Sequence, residues 1–295
     1  MMQVTAILNP LSGKKRALET RSVAQRLAGE LGVELQVQVI EGPGHGTELA
    51  RAAVQAGQDR VISIGGDGTL NAIAAGLIGS EVGLGVVAMG SGNGYARSLK
   101  LPLVPEQALR IALTGTPHRM DVCYLNDRPF LGTAGIGFDA RVAWEFDRTE
   151  ARGLWSYARI ILKDILGARP MRVVVKANNE TREEQVLMLV FCNTREFGNG
   201  AVISPGSAPD DGMAELRIVT KPALLPLFKA FYQIYTEQAD KSRFITNLPT
   251  REATVRQDGT LAHLDGEPIV IGQELRFRLE SRCLNVIRPQ LAPER

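Results

Sequence analysis

Residues Gly65 to Asn71 read Gly-Gly-Asp-Gly-Thr-Leu-Asn, directly after the apolar run Val61-Ile62-Ser63-Ile64 and directly before Ala72-Ile73-Ala74-Ala75. The order is strand, glycine turn, helix start. Glycines leave the backbone N–H groups of such a turn unobstructed, and the helix behind it adds a partial positive charge that favours phosphate by ~0.3–1 kcal/mol. Gly65, Gly66, Gly68 and Thr69 would hold phosphates through N–H groups and a hydroxyl, with Leu70 and Asn71 in the first helical turn. Glycine after a strand is also ordinary turn chemistry. A second loop of the same kind, Gly90-Ser91-Gly92-Asn93-Gly94, follows the apolar run Leu84 to Ala88 and precedes Tyr95 to Leu99 with helical spacing. Ligands of open α/β sheets bind outside the carboxyl ends of the strands, so two such loops support each other.

The commoner nucleotide signatures are absent: there is no Gly-x-x-x-x-Gly-Lys-Ser/Thr, and no Gly-x-Gly-x-x-Gly follows the first strand. The first strand, Val4 to Leu8, ends in Asn9-Pro10-Leu11-Ser12-Gly13-Lys14. Further on come Gly42-Pro43-Gly44-His45, Gly135-Ile136-Gly137-Phe138-Asp139, Asp210-Asp211-Gly212 and Asp265-Gly266-Glu267. Together with the two glycine loops, this ordered set of seven motifs resembles the diacylglycerol kinase catalytic-domain superfamily. Within it the chain is similar to the bacterial soluble lipid kinases, relatives of sphingosine and ceramide kinases.

The resemblance implies an ATP- and Mg²⁺-dependent lipid kinase with its active site between two domains. It makes Glu267 the general base toward a lipid hydroxyl, whereas a plain Asp-Gly-Glu triplet also suits a tight hairpin turn. Asp67 would bind or orient the magnesium that accompanies ATP, and Asn9 and Ser91 would line the nucleotide site. Asp139 is a candidate for the lipid head group, with a turn or cap carboxylate as the alternative. A structural magnesium is implied on the Asp211 carboxylate with backbone oxygens of Ala208 and Met213, with a plain Asp-Gly turn as the alternative. Two departures stand out: Gly94 replaces an aspartate common in bacterial diacylglycerol kinases, and Ile40 replaces a threonine that contacts nucleotide. An NAD kinase also carries Gly-Gly-Asp-Gly-Thr, but the Asp-Gly-Glu triplet and the Gly-Ser-Gly-Asn loop argue against that reading. A catalytically weak nucleotide- or lipid-binding regulator is the alternative from another class, motivated by Gly94.

The elements that must position these residues fall into two patterns. Up to about Gly115, apolar strands alternate with helical stretches: Val4 to Leu8, a helix over Lys14 to Leu31, Val33 to Ile40, a helix over Thr47 to Ala56, Val61 to Ile64, and a helix over Pro105 to Leu113. That alternation predicts an α/β N-terminal domain with a doubly wound, mainly parallel sheet. Beyond it, strand-like runs at His118 to Tyr124, Pro129 to Ala134, Arg172 to Ala177, Gln185 to Cys192, Glu215 to Thr220, Thr250 to Gln257 and Glu274 to Leu279 predict a β-rich, mainly antiparallel C-terminal sandwich domain. The expected division is 1–117 and 118–283, with 284–295 rejoining the first domain. Helices over Gly153 to Leu166 and Leu224 to Ala239 carry apolar stripes. One runs through Leu154, Trp155, Ala158, Ile161, Leu162 and Ile165 beside Arg152, Arg159, Lys163 and Arg169, the other through Leu224, Leu227, Phe228, Phe231 and Tyr235. Such stripes are ordinarily core; the sharper expectation is that one borders an acyl-chain pocket near a membrane surface.

Composition sets outer bounds. The 295 residues are 44% hydrophobic and 22% charged with a net charge of +2, as in a well-cored protein without strong pull on nucleic acid or anionic membrane. Cys123, Cys192 and Cys283 are odd in number and lack Cys-x-x-Cys, which suits small core residues in a reducing compartment. The N-terminus lacks a signal-type pattern, and the densest apolar run, Val186 to Cys192, is far shorter than the ~20 residues of a membrane span. The expectation is therefore a cytoplasmic protein, peripheral at the inner membrane face, whose partner is a lipid substrate met in transient membrane contact. No nucleic-acid partner is expected, and a homodimer is a possible assembly. His45, His118 and His263 show no metal-ligand spacing.

Overall fold

The computed structural model describes residues 1–147, 165 and 167–290. The chain divides into two compact units, Met1–Met120 with Arg282–Arg295, and Asp121–Ser281.

In the first unit, β1 (Gln3–Leu8), β2 (Glu34–Val39), β3 (Arg60–Gly65) and β4 (Gly83–Ala88) form a parallel sheet in the order β2-β1-β3-β4. Val286, near the end of the long strand Glu274–Arg288, pairs in parallel with Leu84. β1, β3 and β4 are buried along nearly their whole lengths, which is why they read as unbroken apolar runs. Helices α1 (Arg16–Leu31), α2 (His45–Gln55), α3 (Asp67–Leu77), α4 (Gly94–Ser98) and α5 (Pro105–Thr114) follow the alternation expected from the sequence. A one-turn 3₁₀ segment at Ser12–Lys15 replaces the predicted start of α1. α2 and α3 pack at the closest approach side chains allow: a Cβ on Gly76 would lie 2.6 Å from the Ala50 Cβ, and Thr47 Oγ1 donates to the Ala72 carbonyl at 2.7 Å. Because the strand order reverses between β1 and β3, the loops leaving those strands open a crevice at their carboxyl ends.

The second unit is an antiparallel sandwich. In chain order its strands are β5 (Thr116–Leu125), β6 (Arg128–Phe130), β7 (Thr133–Gly137), β8 (Met171–Ala177), β9 (Glu180–Val186), β10 (Met188–Cys192) and β11 (Ala214–Val219). They continue with β12 (Ile245–Thr250), β13 (Glu252–Gln257), β14 (Leu261–Leu264), β15 (Glu267–Val270) and β16, the long strand Glu274–Arg288. One sheet runs β12-β11-β10-β7-β14-β15; the other joins β16, β13, β8 and β9, with β5 and β6 beside β16. Their inner faces share a core of residues such as Phe130, Ile136, Val175, Phe191, Leu216 and Phe277, with Phe191 stacked on Phe277 at 4.2 Å.

Several elements differ from the sequence reading. Gln185 to Cys192 is not one strand: it breaks at Leu187, so that β9 lies in one sheet and β10 in the other. The Leu187 N–H donates to the Val219 carbonyl and its own carbonyl accepts from Phe138, so the crossing residue keeps both backbone groups paired. Pro129 to Ala134 likewise splits into β6 and β7, and β16 runs nine residues past the expected end at Leu279. Strands β12, β14 and β15 and the helix α6 (Phe138–Asp147) were not legible as separate elements. The expected helix over Gly153 to Leu166 lies outside the described residues except for Ile165. The helix Leu224–Tyr235 is present; the side chains of Leu224, Leu227, Phe228 and Phe231 lie outside the description. Cys123 and Cys192 are buried and Cys283 is half-buried, all three free thiols. Among the described residues no helix is long and apolar enough to cross a membrane.

Candidate active site

Three loops of the first unit meet at the carboxyl ends of β1, β3 and β4. Asn9 leaves β1 and holds its place through two side-chain bonds: its Oδ1 accepts the Leu11 N–H at 3.0 Å, and its Nδ2 donates to Thr69 Oγ1 at 2.9 Å. Thr69 is buried in the first turn of α3, and Leu70 behind it donates its N–H to the Gly66 carbonyl at 2.9 Å. Gly65 admits no side chain, since a Cβ there would lie 2.4 Å from the Thr69 Cβ. Gly66 and Gly90 face each other backbone to backbone: a Cβ on Gly90 would stand 3.0 Å from the Gly66 Cα. The loop after β1 also touches the end of β4 where the second loop begins, Gly13 adopting φ +63° where a Cβ would lie 3.1 Å from the Met89 carbonyl oxygen. Ser91 is exposed at the crest of the second loop, and Asn71 is half-buried in α3. Lys14 belongs to the 3₁₀ turn; its side chain is outside the description.

Asp67 is the first residue of α3, and the backbone N–H groups of Asn93, Gly94 and Tyr95 in the second loop favour its charged form. These are the cap and first two residues of α4. Burial pushes its carboxyl above the usual aspartate range, against the lowering effect of those N–H donors. By the family resemblance Asp67 would bind or orient the magnesium that accompanies ATP. For phosphate the fit is good: glycines pressed backbone to backbone, a helix N-terminus, and N–H donors without Cβ obstruction. Asn93, at φ 54°, also buries an Oδ1 without a hydrogen-bond partner, an acceptor suited to a ligand hydroxyl.

In the second unit, Asp265-Gly266 forms the two-residue turn between β14 and β15, with Leu264 paired to Glu267 and φ values of +50° and +83° at the turn residues. Those angles are the mirror-image turn that Asp-Gly favours in hairpins. The Asp265 carboxylate clamps the preceding strand connection, accepting N–H groups from Leu131 at 2.9 Å, Gly132 at 2.7 Å and Thr133 at 3.0 Å. Glu267, next along, is exposed. Both readings of the triplet therefore coexist: Asp265 and Gly266 build the hairpin, and Glu267 is presented from it.

Asp139 is buried at the start of α6. Its Oδ1 accepts the Ala140 N–H at 2.9 Å and its Oδ2 faces His263 Nε2 at 3.0 Å. It also lines an apolar cavity of about 100 Å³ together with Phe138, Val142, Leu187, Phe197 and Ile234. Asp211 is exposed and its Oδ1 accepts the Met213 N–H at 2.9 Å, while Gly212, at φ +79°, donates to the buried Asp121 carboxylate at 2.7 Å. That is the geometry of an Asp-Gly turn, with Ala208 and Met213 flanking it. No cluster of three or more His, Cys, Asp or Glu side chains that could hold a metal occurs among the described residues.

Two family models match in sequence: the diacylglycerol kinase catalytic domain over residues 3–125, and a YegS C-terminal NAD kinase beta sandwich-like domain over residues 132–288. The chain belongs to the bacterial lipid kinases of the diacylglycerol kinase superfamily. A protein of Chromohalobacter salexigens described as "Probable lipid kinase YegS-like" is 33% identical over 266 residues, covering 88% of this chain and 85% of that one. An Enterobacter protein of the same description is 28% identical over 290 residues, 96% of each chain. The crystal structure of a diacylglycerol kinase from Bacillus anthracis superposes with a TM-score of 0.73 at 15% identity, covering 97% of this chain and 96% of that one, and so shares the fold. Within this kinase family membership, His263 and the Asp265 clamp are what sequence reasoning missed. A polar residue on a strand two positions before Asp-Gly-Glu was the available signal.

Proposed function

We propose that this protein is an ATP-dependent lipid kinase that transfers the γ-phosphate of ATP to a hydroxyl of a diacylglycerol, a related glycerolipid or a long-chain base. The observation that carries the reading is the close approach of the two glycine loops, Gly66 against Gly90, which makes one seat at the ends of parallel strands. ATP would supply the phosphoryl group, and Mg²⁺ would neutralise its phosphates. Gly65, Gly66, Gly68 and Thr69 would bind those phosphates, with Asn9 fixing the Thr69 hydroxyl and Ser91 reaching from the second loop. Asp67 would bind or orient the magnesium beside this seat.

On the acceptor side, the exposed Glu267 carboxylate would take the proton from the lipid hydroxyl, a contribution of ~10²–10⁴ in rate. The cavity beside Asp139 has apolar walls, which suits a hydrocarbon chain and disfavours the strongly polar dinucleotide that an NAD kinase would take. Contact with a membrane surface would be transient, since the lipid must be drawn from a bilayer. Incubation with labelled ATP, Mg²⁺ and a total lipid extract tests the proposal: a labelled lipid is expected. Labelled NADP in a parallel reaction with NAD, or nucleotide binding without any product, would replace it with one of the two other readings.

A further inference from the structure

His263 sits on β14 with its ring buried, 2% exposed, and joins two features that the sequence keeps far apart. Its Nε2 lies 3.0 Å from Asp139 Oδ2, and its Nδ1 accepts the N–H of Gly266 at 3.3 Å. An Nδ1 that accepts leaves the ring proton on Nε2, which donates to Asp139; the two contacts specify one tautomer. Asp139 is itself immobilised by the Ala140 N–H at the start of α6. The space around the pair is closed: a Cβ on Gly135 would lie 1.8 Å from Asp139 Oδ2 and 2.9 Å from His263 Nε2. The Phe197 ring meets the imidazole edge-on at 6.0 Å.

We propose that His263 is a positioning residue for the Asp265–Gly266–Glu267 turn, with Asp139 holding the imidazole so that its Nδ1 receives the Gly266 N–H. The proposal rests on the reading of Glu267 as general base given above. In a two-residue hairpin the central peptide is the part free to rotate, because the mirror-image turn types differ by a flip of that peptide. Here the central peptide is Asp265–Gly266, and its N–H is the group that His263 holds. The Asp265 carboxylate fixes the turn from the other side through residues 131 to 133, whereas the Gly266 N–H is held by His263. Loss of the imidazole would let that peptide turn over and change the direction in which the next residue, Glu267, leaves the turn. The effect belongs to turnover rather than nucleotide binding.

The test compares His263→Leu, which keeps bulk but removes both bonds, with His263→Asn, whose side-chain oxygen reaches the place of Nδ1 and can accept from Gly266. Amide hydrogen exchange of Gly266 and steady-state kinetics with ATP, Mg²⁺ and a total lipid extract in detergent micelles are measured on the intact protein. His263→Leu should speed Gly266 exchange and lower kcat, each by about tenfold or more, with KM for ATP within about twofold of wild type. His263→Asn should restore most of both. Unchanged exchange and kcat in His263→Leu, or a His263→Asn protein as impaired as His263→Leu, overturns the proposal. If His263→Leu does not fold, Asp139→Ala against His263→Asn decides it: freeing the ring should accelerate exchange, and supplying the acceptor should not. A wild-type protein that labels no lipid would refute the kinase reading instead, and Gly266 exchange would still judge the role of His263.

Discussion

Asp67→Asn is the substitution that best separates a clasp from a metal ligand. As a clasp, the carboxylate would draw on the N–H groups of Asn93, Gly94 and Tyr95, which favour its charged form. Asparagine keeps one acceptor oxygen and turns an NH₂ group toward donors. At least one bond to a charged acceptor, about 1.5–3 kcal/mol, is lost, and the remaining ones fall to the neutral range of about 0.5–1.5 kcal/mol. Part of that loss is offset because the charge no longer has to be buried, the cost that raises the carboxyl above its ordinary range. A net destabilisation of roughly 2–3 kcal/mol is the expected result.

Urea unfolding of the intact protein measures this in its first transition, and calorimetric titration with a non-hydrolysable ATP analogue measures the loop, with and without Mg²⁺. Nucleotide affinity should fall about tenfold or more in both titrations, since a seat that is no longer held must be ordered by the ligand at a cost of about 1.4 kcal/mol or more. A residue acting only as a metal ligand would behave differently: stability unchanged, and affinity lost only when Mg²⁺ is present. Stability within about 0.5 kcal/mol of wild type, combined with a loss confined to the magnesium titration, would refute the clasp.

Glu267→Gln should lower kcat by ~10²–10⁴ while leaving ATP-analogue affinity near wild type; a fully active variant removes Glu267 from the role of base. Glu215 gives a pH prediction. Burial raises its carboxyl, with Asp211 adding to the rise, while the Ser207 hydroxyl and Arg217 oppose it. A raised folded-state value means that the stabilising contribution is fully present below the ordinary glutamate range and is lost as pH rises through the raised value. Glu215→Gln, which can still accept from Ser207, should therefore gain stability relative to wild type as pH rises from about 4.5 to 7. Urea midpoints of both proteins across that range check it, and a difference that is flat or of opposite slope would contradict the sign.

The first unit was legible because its signals are local. Each of β1, β3 and β4 is a short apolar run ending at a turn, and each helix buries a stripe at helical spacing, so pattern alone ordered them. The second unit was read less completely where the chain turns without punctuation. Nothing at Leu187 breaks a strand, no glycine and no proline; what ends β9 is a change from alternating to fully buried residues as the chain passes between sheets. The same limit governs the site. Residue types and order named the glycine loops and the Asp-Gly-Glu turn, but the direction of a carboxylate depends on partners supplied by the fold. Asp265 finds Leu131, Gly132 and Thr133 more than a hundred positions upstream, and Asp139 finds His263 at a separation of 124 residues. Asp265 holds the backbone of residues 131 to 133 and Asp139 holds the His263 ring. Glu267 leaves its turn exposed, as Asp211 does, and the kinetics of Glu267→Gln decide whether it takes the proton.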